Sequence, residues 1–235
     1  MEYYTLLLLG GMVGMQHALE ADHLAAMAAM SAGHTSRKTL ILRGGMWGLG
    51  HTLTLLTLCG LLLFWGGTIS LRVQTFLELL VGVMIITLGI NVLVNLWRKR
   101  PHFHFHQHET GINHLHAHTH SSETVKHENS VHQHEHQQHG LVRAGLIGMM
   151  HGTAGSAGLL VLAVTADTVM NSIGYVLAFG LGSIIGMASL SFIVSYPIGF
   201  MDRCASWINS AAMATVGCVA IMIGAHIFTE NWIAL

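Results

Sequence analysis

Apolar stretches of about 20 residues recur along this chain, each long enough to cross the roughly 30 Å hydrocarbon core of a bilayer as a helix. Only 9% of the 235 residues are charged, where a soluble domain carries about 25%. The bilayer is therefore the solvent. Lipid offers no partner to free backbone N–H and C=O groups, and the apolar runs are continuous rather than alternating, so helices are expected and a barrel is not.

The expected spans are residues 5–30, 40–65, 71–97, 141–166, 173–200 and 206–228. A polar stretch, 101–140, divides them into a first unit at 1–100 and a second at 141–235. The two units look related. Gly14-Met15-Gln16-His17 matches Gly148-Met149-Met150-His151, Gly48-Leu49-Gly50 matches Gly180-Leu181-Gly182, and Val81-Gly82 with Gly89 matches Val216-Gly217 with Gly224, in order and at an offset of about 134 residues. An odd number of crossings per unit turns the second copy upside down, a common transporter design with the substrate site near mid-membrane. The expected fold is thus all-α: six transmembrane helices as two inverted three-helix repeats joined by a histidine-rich loop. The start, Met1-Glu2-Tyr3-Tyr4, has no basic region, so the first span is expected to be a retained helix and not a cleaved signal.

Lysine and arginine set the orientation. Arg37, Lys38, Arg43, Arg98, Lys99, Arg100, Lys126, Arg143 and Arg203 fall on one side of a six-crossing chain and only Arg72 on the other. The crowded side is expected to be cytoplasmic, leaving both termini outside, with Asp167 in an outer loop, and the histidine-rich stretch inside. The net charge of -1 gives no electrostatic case for nucleic acid. Cys59, Cys204 and Cys218 show no CxxC spacing and are read as packing residues. Glycine pairs such as Gly10/Gly14, Gly44/Gly48 and Gly182/Gly186 are read as helix contacts.

Chemistry concentrates in His17-Ala18-Leu19-Glu20-Ala21-Asp22-His23, four ionisable residues in seven near the expected midplane. An acidic residue at that depth costs roughly 2.5 to 3.5 kcal/mol unless compensated, and a bound dication compensates it. On an ideal helix His17, Glu20 and His23 share a stripe and Asp22 lies off it. The two histidines would stand roughly 9 Å apart along the axis, too far for one ion. If both are ligands, the helix must unwind between them. His51 and His151 fall at similar depth on two other helices, and imidazole with carboxylate suits nickel, cobalt and zinc. Asn91 and His226 occupy matching positions in the two units and are read as helix–helix hydrogen bonds.

The segment His17 to His23, followed one helix later by Leu49-Gly50-His51-Thr52, resembles the signature of the nickel/cobalt transporter superfamily, particularly its shorter urease-accessory permease branch. The likeness is clear over the first two helices and looser around His151-Gly152-Thr153. It implies that His17, Asp22 and His23 recognise metal, with His51 as the second motif's contribution. Two departures leave the metal's identity open: Glu20 stands where the long-form transporters carry Asp, and they have eight helices where six are read here.

Thirteen of the 19 histidines lie between His102 and His139, largely in alternation. Such a stretch cannot bury a core and is expected to be disordered without metal. Its imidazoles suit additional metal ions, as a cytoplasmic reservoir, a sensor or a hand-off site to a metal chaperone or maturation factor. The function expected is uptake of Ni2+ or Co2+, with Zn2+ as a further substrate. The site is His17, Glu20, Asp22, His23, His51 and His151, and neither an enzymatic activity nor a resident cofactor is expected. A zinc transporter or metal exporter of another family, a haem-binding membrane subunit and a metal sensor are the rival readings. No GxxxxGK[ST] segment is present for ATP.

Overall fold

A computed structural model describes residues 3–32, 36–65, 70–98, 102–107, 113–118, 135–153, 168–201 and 206–235. Apart from one hairpin the described residues are helical: α1 (Tyr3–His17), α2 (Ala21–Ser31), α3 (Arg37–Trp65), α4 (Leu71–Arg98), β1 (His102–Gln107), β2 (Asn113–His118), α5 (Glu135–Thr153), α6 (Val169–Met201) and α7 (Ser206–Ala234). Helices α3, α4, α6 and α7 are each long and apolar enough to cross a bilayer. Their 28 to 33 residues extend about 42 to 50 Å at 1.5 Å per residue. Leucine, isoleucine and phenylalanine side chains such as Leu49, Phe64, Ile185 and Ile193 point outward, which is stable only against lipid. The protein is a multi-pass membrane protein.

Tight backbone contact replaces the hydrophobic effect as the force between helices in lipid. Helix α4 packs along α7, α3 lies against both α5 and α6, and α1 lies against α6. Glycine makes each contact possible. A methyl group on Gly14 would strike the Phe179 carbonyl oxygen, and one on Gly148 would strike the Trp47 carbonyl oxygen. One on Gly82 would come within 2.9 Å of the Gly224 carbonyl oxygen, and one on Gly89 within 2.7 Å of that of Gly217. Thr52 adds polar glue between α3 and α6, its Oγ1 lying 2.8 Å from the Gly48 carbonyl oxygen and 3.1 Å from that of Gly180. Two apolar clusters result. One gathers Ala18, Ala25, Met27, Trp47, Ile85 and Met187, the other Leu55, Cys59, Tyr175, Val176 and Phe179.

Several elements differ from the expectation. The first span is not one helix but α1 and α2, separated at Ala18, Leu19 and Glu20. The described part of the fourth is α5, which begins at Glu135, inside the stretch read as loop, and is described to Thr153. Two pieces of that stretch pair as an antiparallel hairpin in which His102 is opposite His118, His104 opposite His116 and His106 opposite His114. Alternation is also the period of a strand, so part of the stretch expected to be disordered pairs as a ladder. Among the described residues His226 makes no helix–helix bond: it is exposed, with Nε2 3.5 Å from Glu230 one turn along its own helix. Asn91 is half-buried on α4. Asp167 and Cys204 lie outside the described residues; Cys59 is buried and Cys218 exposed.

Candidate metal centre

The break after His17 builds the site. Helix α1 ends in tightened i to i−3 bonds, the Leu19 N–H donating to the Gln16 carbonyl (2.9 Å) and the Glu20 N–H to the His17 carbonyl (3.1 Å). Glu20 is extended (φ -65°, ψ 152°), and α2 restarts when the Leu24 N–H reaches the Glu20 carbonyl at 2.9 Å. One extended residue changes the direction in which the next turn presents its side chains. The rings of His17 and His23 stand 4.5 Å apart between centroids, where a continuous helix would separate the residues by roughly 9 Å of rise.

Two further helices bring their histidines to this break. His51, fully buried on α3, lies 5.2 Å from His17 and 5.6 Å from His23 between ring centroids. His151, at the end of α5, lies 4.2 Å from His23. Two groups of three have ligand-capable atoms within 4.8 Å of one another: His17, His23 and His51, and Asp22, His23 and His151. Asp22 wedges between the halves of the second group. Its Oδ1 accepts the backbone N–H of His23 at 2.8 Å and lies 3.0 Å from His23 Nδ1, while Oδ2 lies 2.9 Å from His151 Nε2. Glu20, with half its side chain exposed, sets Oε1 2.8 Å from His17 Nδ1. All six residues singled out in the sequence therefore converge, with Glu20 at the edge and the histidines inside.

What these histidines lack is as informative as what they hold. His17 Nε2, His23 Nε2, both ring nitrogens of His51 and His151 Nδ1 are buried with no hydrogen-bond partner among the described residues. An unsatisfied buried polar group costs about 1–3 kcal/mol, and such groups in a membrane interior mark function rather than packing. Lone pairs of this kind, with carboxylates behind the rings, form a donor set for a borderline divalent cation such as Ni2+, Co2+ or Zn2+.

Two aromatic residues complete the surroundings and were not singled out from the sequence. Trp47 stacks on His23 with centroids 5.4 Å apart and planes at 28°, and meets His151 at 5.5 Å. Phe179 lies 5.4 Å from His17. The signal was available: each residue stands immediately before one of the matched Gly-Leu-Gly segments. Both lie against imidazole rings of the cluster.

The urease accessory protein UreH of Bacillus sp. (strain TB-90) is 28% identical to this chain over 225 residues, covering 94% of this chain and 90% of that protein. No family model matches the chain, and no solved structure matches it.

Proposed function

We propose that this chain is an uptake permease for divalent transition metal ions, Ni2+ and Co2+ first, working by alternating access around the cluster of His17, Glu20, Asp22, His23, His51 and His151. The observation that carries the proposal is the set of buried, unpartnered imidazole nitrogens beside a broken membrane helix. Similarity over nearly the whole chain to a protein named for its accessory role to urease supports a place in metalloenzyme maturation, and with it membership of the nickel/cobalt transporter superfamily. Ring centroids only 4.2 to 5.6 Å apart argue against the haem reading, because a macrocycle does not fit between them.

Two inverted repeats, 1–100 and 141–235, with the histidine-rich segment 101–140 between them, are part of the proposal. Reciprocal contacts support it. The approach of Gly14 to Phe179 has its counterpart in Gly148 and Trp47, that of Gly82 to Gly224 in Gly217 and Gly89, and that of Gly48 to Ile184 in Gly180 and Thr52. With both termini outside and the arginine-rich ends inside, a dication entering the cell gains about 4.6 kcal/mol per 100 mV of membrane potential. Uptake then needs no further energy source, and export would need one.

The test is radiolabelled Ni2+, Co2+ and Zn2+ uptake into proteoliposomes under an imposed inside-negative potential. Nickel and cobalt uptake that grows with the potential is expected. Absent flux, or flux in zinc alone, would overturn the reading. A separate outcome is expected for the histidine-rich stretch. Replacing its thirteen histidines by glutamine should leave proteoliposome flux within about twofold of wild type, while lowering the number of nickel ions the purified protein binds. Loss of flux would place the stretch in the translocation path.

A further inference from the structure

We infer that Asp22 and Glu20 serve the ion through the histidines rather than as ligands: the ion sits on His17, His23 and His51, and the two carboxylates, with His151 behind Asp22, are positioning residues. This rests on the metal-transport reading above and assigns roles within its site.

A carboxylate has no proton to give, so a ring nitrogen within hydrogen-bond reach of one carries the proton, and the opposite nitrogen keeps its lone pair. Glu20 Oε1 at 2.8 Å from His17 Nδ1 therefore leaves His17 Nε2 free to coordinate. Asp22 Oδ1 at 3.0 Å from His23 Nδ1 leaves His23 Nε2 free in the same way. Both of those Nε2 atoms are buried with no hydrogen-bond partner among the described residues. His51 presents both of its nitrogens unpartnered and joins His17 and His23 in a group whose ligand atoms lie within 4.8 Å of one another. Two imidazoles of this three-histidine group, each held by a carboxylate at one ring nitrogen so that the other is free, form the arrangement by which proteins aim histidine at a metal.

Asp22 is engaged at both of its oxygens. The second holds His151 Nε2 at 2.9 Å, and moving Asp22 onto the ion would break this bond, the bond to His23 Nδ1 and the bond to the His23 backbone at once. His151 falls outside the three-histidine group. It anchors Asp22 from α5, so a residue after the histidine-rich stretch aims ligands that lie before it. The division also suits transport. Three neutral donors hold a dication, and the compensating negative charge stays one hydrogen bond away, which favours entry without making release prohibitive.

The experiment combines nickel uptake kinetics in proteoliposomes with nickel-edge X-ray absorption on the full-length protein whose thirteen loop histidines are glutamine. Asn and Gln keep a carbonyl oxygen that accepts the ring N–H but are poor ligands, so Asp22→Asn and Glu20→Gln should raise KM about 10-fold, and Asp22→Ala about 100-fold. His151→Gln, whose amide N–H still reaches Asp22, should lie closer to wild type than His151→Ala. The spectra should count three imidazoles on nickel in the parent, in Asp22→Asn and in both His151 variants, and two in His51→Ala. Asp22→Asn as damaging as Asp22→Ala, or an imidazole lost with His151→Ala, would overturn the assignment. If the parent binds nickel through three imidazoles yet shows no uptake, the transport reading falls and the division of roles stands.

Discussion

His23→Ala is expected to lower nickel uptake by a factor on the order of 100 or more while the protein still purifies as a folded, monodisperse species. The loss of a group that merely aims a ligand costs roughly 10- to 100-fold in metal affinity, and His23 is more than that. It belongs to both groups of atoms that lie close enough together to hold a metal ion, accepts Trp47 against its face, and takes up one oxygen of Asp22. Its removal takes away a donor and releases Asp22 from one of its partners. His23 Nε2 is buried with no hydrogen bond among the described residues, so alanine there relieves one unsatisfied polar atom, which offsets only part of the cost of the cavity and of the partner that Asp22 loses. Uptake kinetics on His23→Ala beside His226→Ala make the comparison, since His226 is exposed on α7 and pairs with Glu230 on its own helix. Wild-type flux in His23→Ala would remove the cluster from the transport path.

The membrane class and four of the helices were legible because apolar length alone decides whether a segment crosses a bilayer. The spans expected at 40–65, 71–97, 173–200 and 206–228 match α3, α4, α6 and α7 to within a few residues, apart from the longer C-terminal end of α7. The broken first helix was legible only as a condition, that one ion on both His17 and His23 requires the helix to unwind. Where it unwinds was not, because one residue, Glu20 in an extended conformation, redirects everything after it. For the same reason helical geometry placed Asp22 off the histidine stripe, whereas in the folded chain it bridges His23 and His151. His226 misled in the opposite sense. Its position matches Asn91 in the first unit, but the helix face it occupies is fixed by how α7 packs on α4, and that packing leaves it outside.

Gly148→Ala is expected to be far more destructive than its one added methyl suggests, and Gly45→Ala to be harmless or better. The sign depends on what each new Cβ meets. At Gly148 it would be driven into the Trp47 carbonyl oxygen, with the Trp47 ring carbon Cδ1 only 2.8 Å away. The obstacle is backbone, which cannot rotate aside, so α5 and α3 must separate along the line that holds His151 beside Trp47. Overpacking of this kind costs about 1–3 kcal/mol and more where backbone is struck, enough to lower the yield of folded protein and the midpoint of thermal unfolding in detergent. At Gly45 nothing lies within 4 Å of the added methyl, and alanine gains about 0.8–1.0 kcal/mol of helix propensity over glycine. Gly14→Ala supplies the symmetric case, since its methyl would strike the Phe179 carbonyl oxygen. If the two halves are copies of one packing unit, the Gly14 and Gly148 variants should lose stability to a similar extent. A tolerant Gly14 beside an intolerant Gly148 would mean that the α1–α6 and α3–α5 contacts are not equivalent, and alternating access by exchange of matched halves would lose its structural basis.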